Sequence, residues 1–268
     1  MANLISALSN TLTSSINTVQ KGIVDTQTQL ANGVKNLNAA EVGIVTRLSA
    51  QATGYKSVSQ NITAGINVIN VGRTALTSIS TILSQAKDIA TQSANAGLQT
   101  SDRTALQTTF SQLLTQVTNL ITTAGVNGEN VLSPTGTDLV VQSGITGGVA
   151  SRTTITNLAI TLTTLGINAA TVATQTDAQA AIDTVTAALN TISTNLSTLA
   201  ATKTGLEASA AASLSLSTNL QATVDSIQNI DQTALQAKLQ QLNNQQAIDY
   251  YLISQMNTAA ASALTIFR

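Results

Sequence analysis

The residues in this chain that could do chemistry are few and widely spaced. It has no cysteine and no histidine, which removes thiol nucleophiles, disulfides and the imidazole that most often serves as acid, base or metal ligand. Catalysis would have to rest on sparse carboxylates and lysines, and the carboxylates to consider first are Asp177, Asp183, Glu207, Asp225 and Asp231. No pair of them has a spacing that favours acid/base work, and no nucleophile stands beside a base. They read instead as charges at helix starts and as solvated positions. No catalytic, cofactor-binding or metal-binding residue is expected, no cofactor is implied, and the chain is read as a non-enzyme.

What must position so few polar groups is an unusual scaffold. Charged residues make up 9% of the 268 and aromatics 2%, against a usual charged share of about 25%. Ala, Thr, Ser, Leu, Asn and Gln fill the rest, and there is one proline, Pro134. So few breakers permit very long helices, and small side chains permit close helix approach. The 11 basic and 12 acidic residues leave a net charge of −1. They are scattered singly and form no basic stripe that could track a phosphate backbone, so nucleic acid is not an expected partner. Residues 1–20 carry no charge and lack the basic and clean apolar regions of a secretory signal, so none is expected. Ser254, Gln255, Asn257, Thr258 and Ser262 interrupt the uncharged run 250–267, and no membrane span is expected there.

Apolar spacing supplies the elements. In residues 4–37, Ile5, Leu8, Leu12, Ile16, Val19, Ile23, Leu30, Val34 and Leu37 recur at helical intervals. Leu235, Leu239, Leu242, Ile248, Leu252, Met256, Ala260, Ala263 and Phe267 do so in residues 235–268. Neither stripe is large enough to make a core alone, so the two terminal helices are expected to pair. Between them, a bend is predicted at 33–43 and a helix of about 80 Å at 41–95. A further helix follows at 103–123, with Ser101 or Asp102 as its N-cap. Residues 125–175 hold Asn127-Gly128, Pro134 and several glycines, with β-branched runs at 139–142 and 153–163, and read as one or two small hairpins. A second very long helix opens at Thr176 or Asp177, with Leu214 on its apolar side, and breaks at 229–233. The expected fold is mainly α: an elongated rod of long antiparallel helices with paired terminal coiled-coil helices and a small β-hairpin region in the middle.

Several blocks of this sequence resemble bacterial flagellin. Arg47, Gln51 and Gly54, followed by Asn61-Ile62-Thr63-Ala64-Gly65-Ile66, are similar to the family's "R-x-x-x-Q-x-x-G" and "N-x-x-D-G-I". Ala90-Thr91-Gln92-Ser93-Ala94-Asn95 continues that block, and Asn127-Gly128 looks like its "F-N-G" turn. Asn257 and the ending Leu264-Thr265-Ile266-Phe267-Arg268 look like "A-N-Q-x-x-x-x-x-L-S-L-L-R". The chain departs from the family in offering only Glu41 where paired acidic residues often follow the first bend.

The resemblance implies a structural subunit of a self-assembling helical filament used for swimming, in a short form without large outer domains. It implies a terminal coiled-coil domain of residues 1–40 with 232–268 lining the filament core, and a helical rod domain of residues 41–231 that includes the β region 125–175. Core and subunit–subunit packing would fall to Ile5, Leu8, Leu12, Ile16, Val19, Leu239, Leu242, Leu252, Met256, Leu264 and Phe267. Copies of the chain would be the main partner, with an export chaperone, cap and junction proteins. The location would be the extracellular filament, reached by type III export. A hook–filament junction protein, or an adhesin with its binding head at 125–175, are the alternative readings.

Overall fold

The computed structural model describes the backbone of residues 2–266 and the side-chain surroundings of residues 6–262. The elements run α1 (Ala2–Asn32), α2 (Ala39–Ser93), α3 (Thr100–Thr123), β1 (Leu139–Gln142), β2 (Arg152–Ile155), α4 (Gln175–Gln228) and α5 (Gln232–Ile266). The architecture is therefore mainly α, with a single small sheet among the described residues. The chain forms two compact units, Met1–Ala50 with Leu220–Arg268, and Gln51–Asn219.

In the unit Gln51–Asn219, α2, α3 and α4 enclose a core whose fully buried members include Ile62, Leu76, Ile79, Phe110, Ile192 and Leu199. The segment between α3 and α4 lies directly on α2, because two glycines one heptad apart leave room for it. A Cβ at Gly65 would stand 2.7 Å from Val141 Cγ2, and one at Gly72 would stand 2.6 Å from Val131 Cγ2. Asn127 and Gly128 both take left-handed backbone, φ 53° and 84°, as a two-residue hairpin turn requires. Val126 and Glu129 close that turn by exchanging backbone hydrogen bonds of 2.9 and 3.0 Å.

The small sheet is antiparallel, with Leu139 opposite Ile155 and Gln142 opposite Arg152. The alternating run expected as a strand to residue 163 stops at Ile155. Asn157 ends it: its backbone N–H donates to Asp138 Oδ1 (2.9 Å) and its Nδ2 to the Ser133 carbonyl (3.0 Å). Its Oδ1 accepts from the Ala159 N–H (3.0 Å), and Ala159 is left-handed at φ 45°. Ile160 and Leu165 are buried all the same. The Leu158 and Ile160 amides donate to Val131 and Leu132 carbonyls at 2.8 and 3.0 Å, which presses this non-strand segment into the core.

The helix ends also differ from expectation. Neither Ser101 nor Asp102 caps α3; the helix begins at Thr100 after Gln99, which makes no side-chain cap. The turn between α2 and α3 is held instead by Arg103, whose guanidinium donates to the carbonyls of Ser93 (3.0 Å), Leu98 (3.0 Å) and Asn95 (2.6 Å). The Ser93 carbonyl is one that α2 leaves open at its end, and the other two belong to the turn that follows. Thr174 caps α4, receiving the Asp177 N–H at 3.1 Å and donating to Asp177 Oδ2 at 2.6 Å. Asp231 receives the Ala234 N–H at 3.0 Å at the start of α5. Leu214, expected on the packed side of α4, is exposed, and Ser213 is buried beside it.

The helices carry many threonines whose hydroxyls donate to the carbonyl four residues earlier. Thr63, Thr74, Thr91, Thr194 and Thr198 do this at 2.8 to 3.1 Å. Such back-bonding satisfies the hydroxyl locally and leaves the methyl on the outside of the helix.

Candidate functional site

The unit formed by the two ends of the chain is built on α1 packed against α5. On α1 a line of covered positions runs Ser9, Leu12, Ile16, Val19, Ile23, Thr26 and Leu30, flanked by Ser15, Gly22 and Gln29, which are covered too; on α5 the covered line is Leu235, Leu239, Leu242, Gln246, Asp249, Ile253, Met256 and Ala260. Both lines step by alternate threes and fours, the heptad spacing of a two-helix seam. The helices run antiparallel, since Gly22 lies against Leu242 and Ser15 against Asp249, seven residues on along α1 and seven back along α5.

Of the packing residues named from the sequence, Leu12, Ile16 and Val19 are buried in this seam, while Leu239, Leu242 and Met256 are half-buried. Leu8 and Leu252 are not in it: they are 52% and 44% exposed. The side chains of Ile5 and Leu264, and all of Phe267, lie outside the described residues. The expected α5 stripe departs from the seam at Ile248 and Leu252, which lie on its flank, and rejoins it at Met256 and Ala260. Gln246, Asp249 and Ile253 hold the seam in their place. The signal that finds them is the unbroken heptad count from Leu235, followed through two polar residues.

Two surfaces result. The seam is thin and partly polar, with Ser15 Oγ donating to the buried Asp249 carboxyl at 2.8 Å and Gln20 Nε2 donating to Tyr250 OH at 3.1 Å. Beside it, Asn10, Thr11, Ser14, Thr18 and Gln245 line an open groove. The outer face of α5 presents Ile248, Tyr251 and Leu252, which are 59%, 63% and 44% exposed, and α1 adds exposed Val24.

The bend after α1 is fixed by short-range chemistry. Gly33 ends the helix at φ 71°, with its N–H on the Gln29 carbonyl at 2.9 Å. This is the left-handed stop that glycine supplies. Asn38 and Glu41 then form a capping box: the Glu41 N–H donates to Asn38 Oδ1 and the Asn38 N–H to Glu41 Oε2, both at 2.9 Å. Lys35 Nζ meets Glu41 Oε1 at 2.5 Å, and the Lys35 N–H donates to the Gln228 carbonyl at 2.8 Å.

Hydrogen bonding from Lys35, and then from the Asn38 N–H, holds the Glu41 carboxyl below its ordinary value of 4.5. A depressed carboxyl stabilises the fold while it is ionised, so its contribution is complete above about pH 4.5 and fades as pH falls through the lowered folded value. Glu41→Gln should therefore be less stable than the parent at neutral pH and converge with it in acid. Thermal unfolding of both chains between neutral pH and about pH 3 checks this, and a constant gap across the range would contradict it.

The remaining carboxylates do not gather. Glu207 pairs with Lys203 at 3.3 Å, Asp225 accepts from Gln221 at 2.9 Å, and Asp183 is exposed. What the geometry offers is therefore a set of packing surfaces.

The family model described as the bacterial flagellin N-terminal helical region matches residues 4–137, half of the chain. This chain belongs to the bacterial flagellin family. It is 30% identical to a flagellin of Listeria innocua over 130 residues, which cover 47% of this chain and 45% of that one. The chain thus spans about half the length of that relative. Flagellin FljO of Caulobacter vibrioides is 28% identical over 258 residues, covering 94% of this chain and 93% of its own. The crystal structure of Bacillus cereus flagellin is also similar, with a TM-score of 0.49 and 22% identity over 57% of this chain and 85% of that one. Membership gives the quoted motifs a physical meaning in this flagellin-family chain. Gly65 in the Asn61–Ile66 block is where Val141 and Ile155 approach α2, and Asn127-Gly128 is the left-handed hairpin turn. No described helix is long and apolar enough to cross a membrane.

Proposed function

We propose that this chain is a structural subunit of the bacterial flagellar filament, which self-assembles with copies of itself into a helical tube used for swimming. The observation that carries the proposal is the flagellin match over residues 4–137 together with a flagellin relative aligned along 94% of the chain. The molecule supports it in its own terms. The α1/α5 pair has a narrow seam and exposes Ile248, Tyr251 and Leu252 outside it, a surface that loses water only against something else. In this reading residues 1–40 and 232–268 form the filament-core domain and residues 41–231 the rod domain. Leu8 and Leu252 then serve contacts between subunits, and Leu12, Ile16 and Val19 the pairing within one subunit. The role is structural rather than enzymatic, and the place of action is the extracellular filament. An export chaperone, a cap and junction proteins are the further partners this role would need.

The test is electron microscopy of the purified full chain under polymerising conditions, beside a truncation ending at Thr233. Tubes from the full chain and none from the truncation are expected. A full chain that never elongates, even on filament seeds, would overturn the proposal and favour a junction protein.

A further inference from the structure

The seam between α1 and α5 repeats too regularly to set its own register. Small and apolar residues recur on both lines, so a slip of one heptad keeps apolar side chains facing apolar side chains over most of its length. We infer that the Ser15–Asp249 hydrogen bond, acting with the fit of Leu242 on Gly22, is a pin that admits one register of the terminal helices and rejects the two neighbouring ones. This does not depend on the filament reading.

The geometry makes the two contacts a matched pair. Ser15 and Gly22 are one heptad apart on α1, as are Asp249 and Leu242 on α5. Asp249 is 7% exposed and accepts from Ser15 Oγ at 2.8 Å. Leu242 Cδ1 lies 3.3 Å from the place a Gly22 Cβ would take. A slip one way carries Asp249 to Gly22, which has no side-chain donor, and brings Leu242 against Gln29 in place of the glycine. A slip the other way carries Asp249 to Leu8 and drives Leu242 onto Ser15. The nearest hydroxyl is then Ser9, one residue round the helix, on the line of Ile16. In the first slip the buried carboxyl loses its serine donor, in the second its nearest hydroxyl comes from the Ile16 line and not the Ser15 line, and in both the leucine loses its recess. Leaving a buried polar group without its partner is strongly unfavourable, whereas a leucine in its place would be indifferent to register.

The chain has no cysteine, so introduced pairs report the register without background. Gln246→Cys is combined in turn with Val19→Cys, which reports the observed register, and with Thr26→Cys or Leu12→Cys, which report the two slips. Initial rates of disulfide formation are measured in the full chain. In the parent, the 19/246 pair should dominate. In Asp249→Leu, and in Ser15→Ala as a second variant, the slipped pairs should gain about ten-fold relative to 19/246. Asp249→Asn keeps an acceptor for the serine hydroxyl and should follow the parent. Parent-like ratios in both Asp249→Leu and Ser15→Ala would overturn the inference. So would a parent in which 19/246 does not lead, because the seam itself would then be wrong.

Discussion

Gly72→Ala, with Gly65→Ala beside it, is expected to lower the unfolding free energy of the full chain by about 1–3 kcal/mol each, the usual range for overpacking a core. Alanine is the better helix former by about 1 kcal/mol, so a glycine in mid-helix invites replacement unless something occupies the space. Here something does. The new Cβ at 72 would lie 2.6 Å from Val131 Cγ2 and 3.6 Å from Leu199 Cδ1, and that at 65 would lie 2.7 Å from Val141 Cγ2 and 3.2 Å from Ile155 Cδ1. Both leading contacts are methyls of valine, which is stiff at χ1 and cannot swing aside without moving backbone. Gly205, on α4, has nothing within 4 Å of its Cβ position. Gly205→Ala should therefore stabilise by about 0.5–1 kcal/mol. Urea unfolding followed by circular dichroism compares the three, and equal tolerance at all three positions would show that the segment between α3 and α4 does not rest on α2 as described.

Arg103→Ala should cost about 2–4 kcal/mol, judged from the worth of hydrogen bonds to a charged group. Three backbone carbonyls at the end of α2 and in the turn after it accept from one guanidinium. The Asn95 carbonyl also accepts from the Leu98 N–H at 3.3 Å; for the other two the alternative to the guanidinium is water. Lysine is a poor substitute, because a point charge on a flexible stem cannot reach three acceptors in a fixed fork, so Arg103→Lys should recover less than half the loss. The turn has a second tie: Ser93 Oγ donates to the Val172 carbonyl at 2.6 Å, and Gln107 Oε1 accepts from Thr171 Oγ1 at 2.8 Å. Proteolysis within residues 94–99 would accelerate in Arg103→Ala if the turn opens locally. Unchanged unfolding and unchanged cleavage would mean that water serves these carbonyls equally well.

The long helices were legible because proline is almost absent and apolar residues keep a period near 3.6. β1 was legible in Leu139-Val140-Val141-Gln142, and the hairpin turn in Asn127-Gly128. The extent of β2 was not, since Leu158 and Ile160 alternate like strand residues but follow the Asn157 turn and are held by the Val131 and Leu132 carbonyls outside the sheet. A period in apolar residues cannot tell burial by a sheet from burial by tertiary packing. The same limit explains α5. Ile248 and Leu252 are apolar and helically spaced, so they read as core, but the buried positions beside them are Asp249 and, in part, Gln246 and Ile253. Binary patterning fails where a seam is specified by a polar contact instead of by volume. Arg103 gave no signal at all, because a lone arginine near a helix start looks like a solvated charge until its acceptors are in view.

The threonines bonded back to their own helices change what the outside of this molecule is made of. Thr63, Thr91, Thr194 and Thr198 have used their hydroxyl donors on carbonyls of the previous turn, and charged residues are only 9% of the chain. Bringing such a helix face against another strips away few ion hydration shells and leaves few donors stranded, so the desolvation cost of contact is small. The surface is polar by composition and close to neutral by behaviour, able to be covered repeatedly along its length without salt bridges to match.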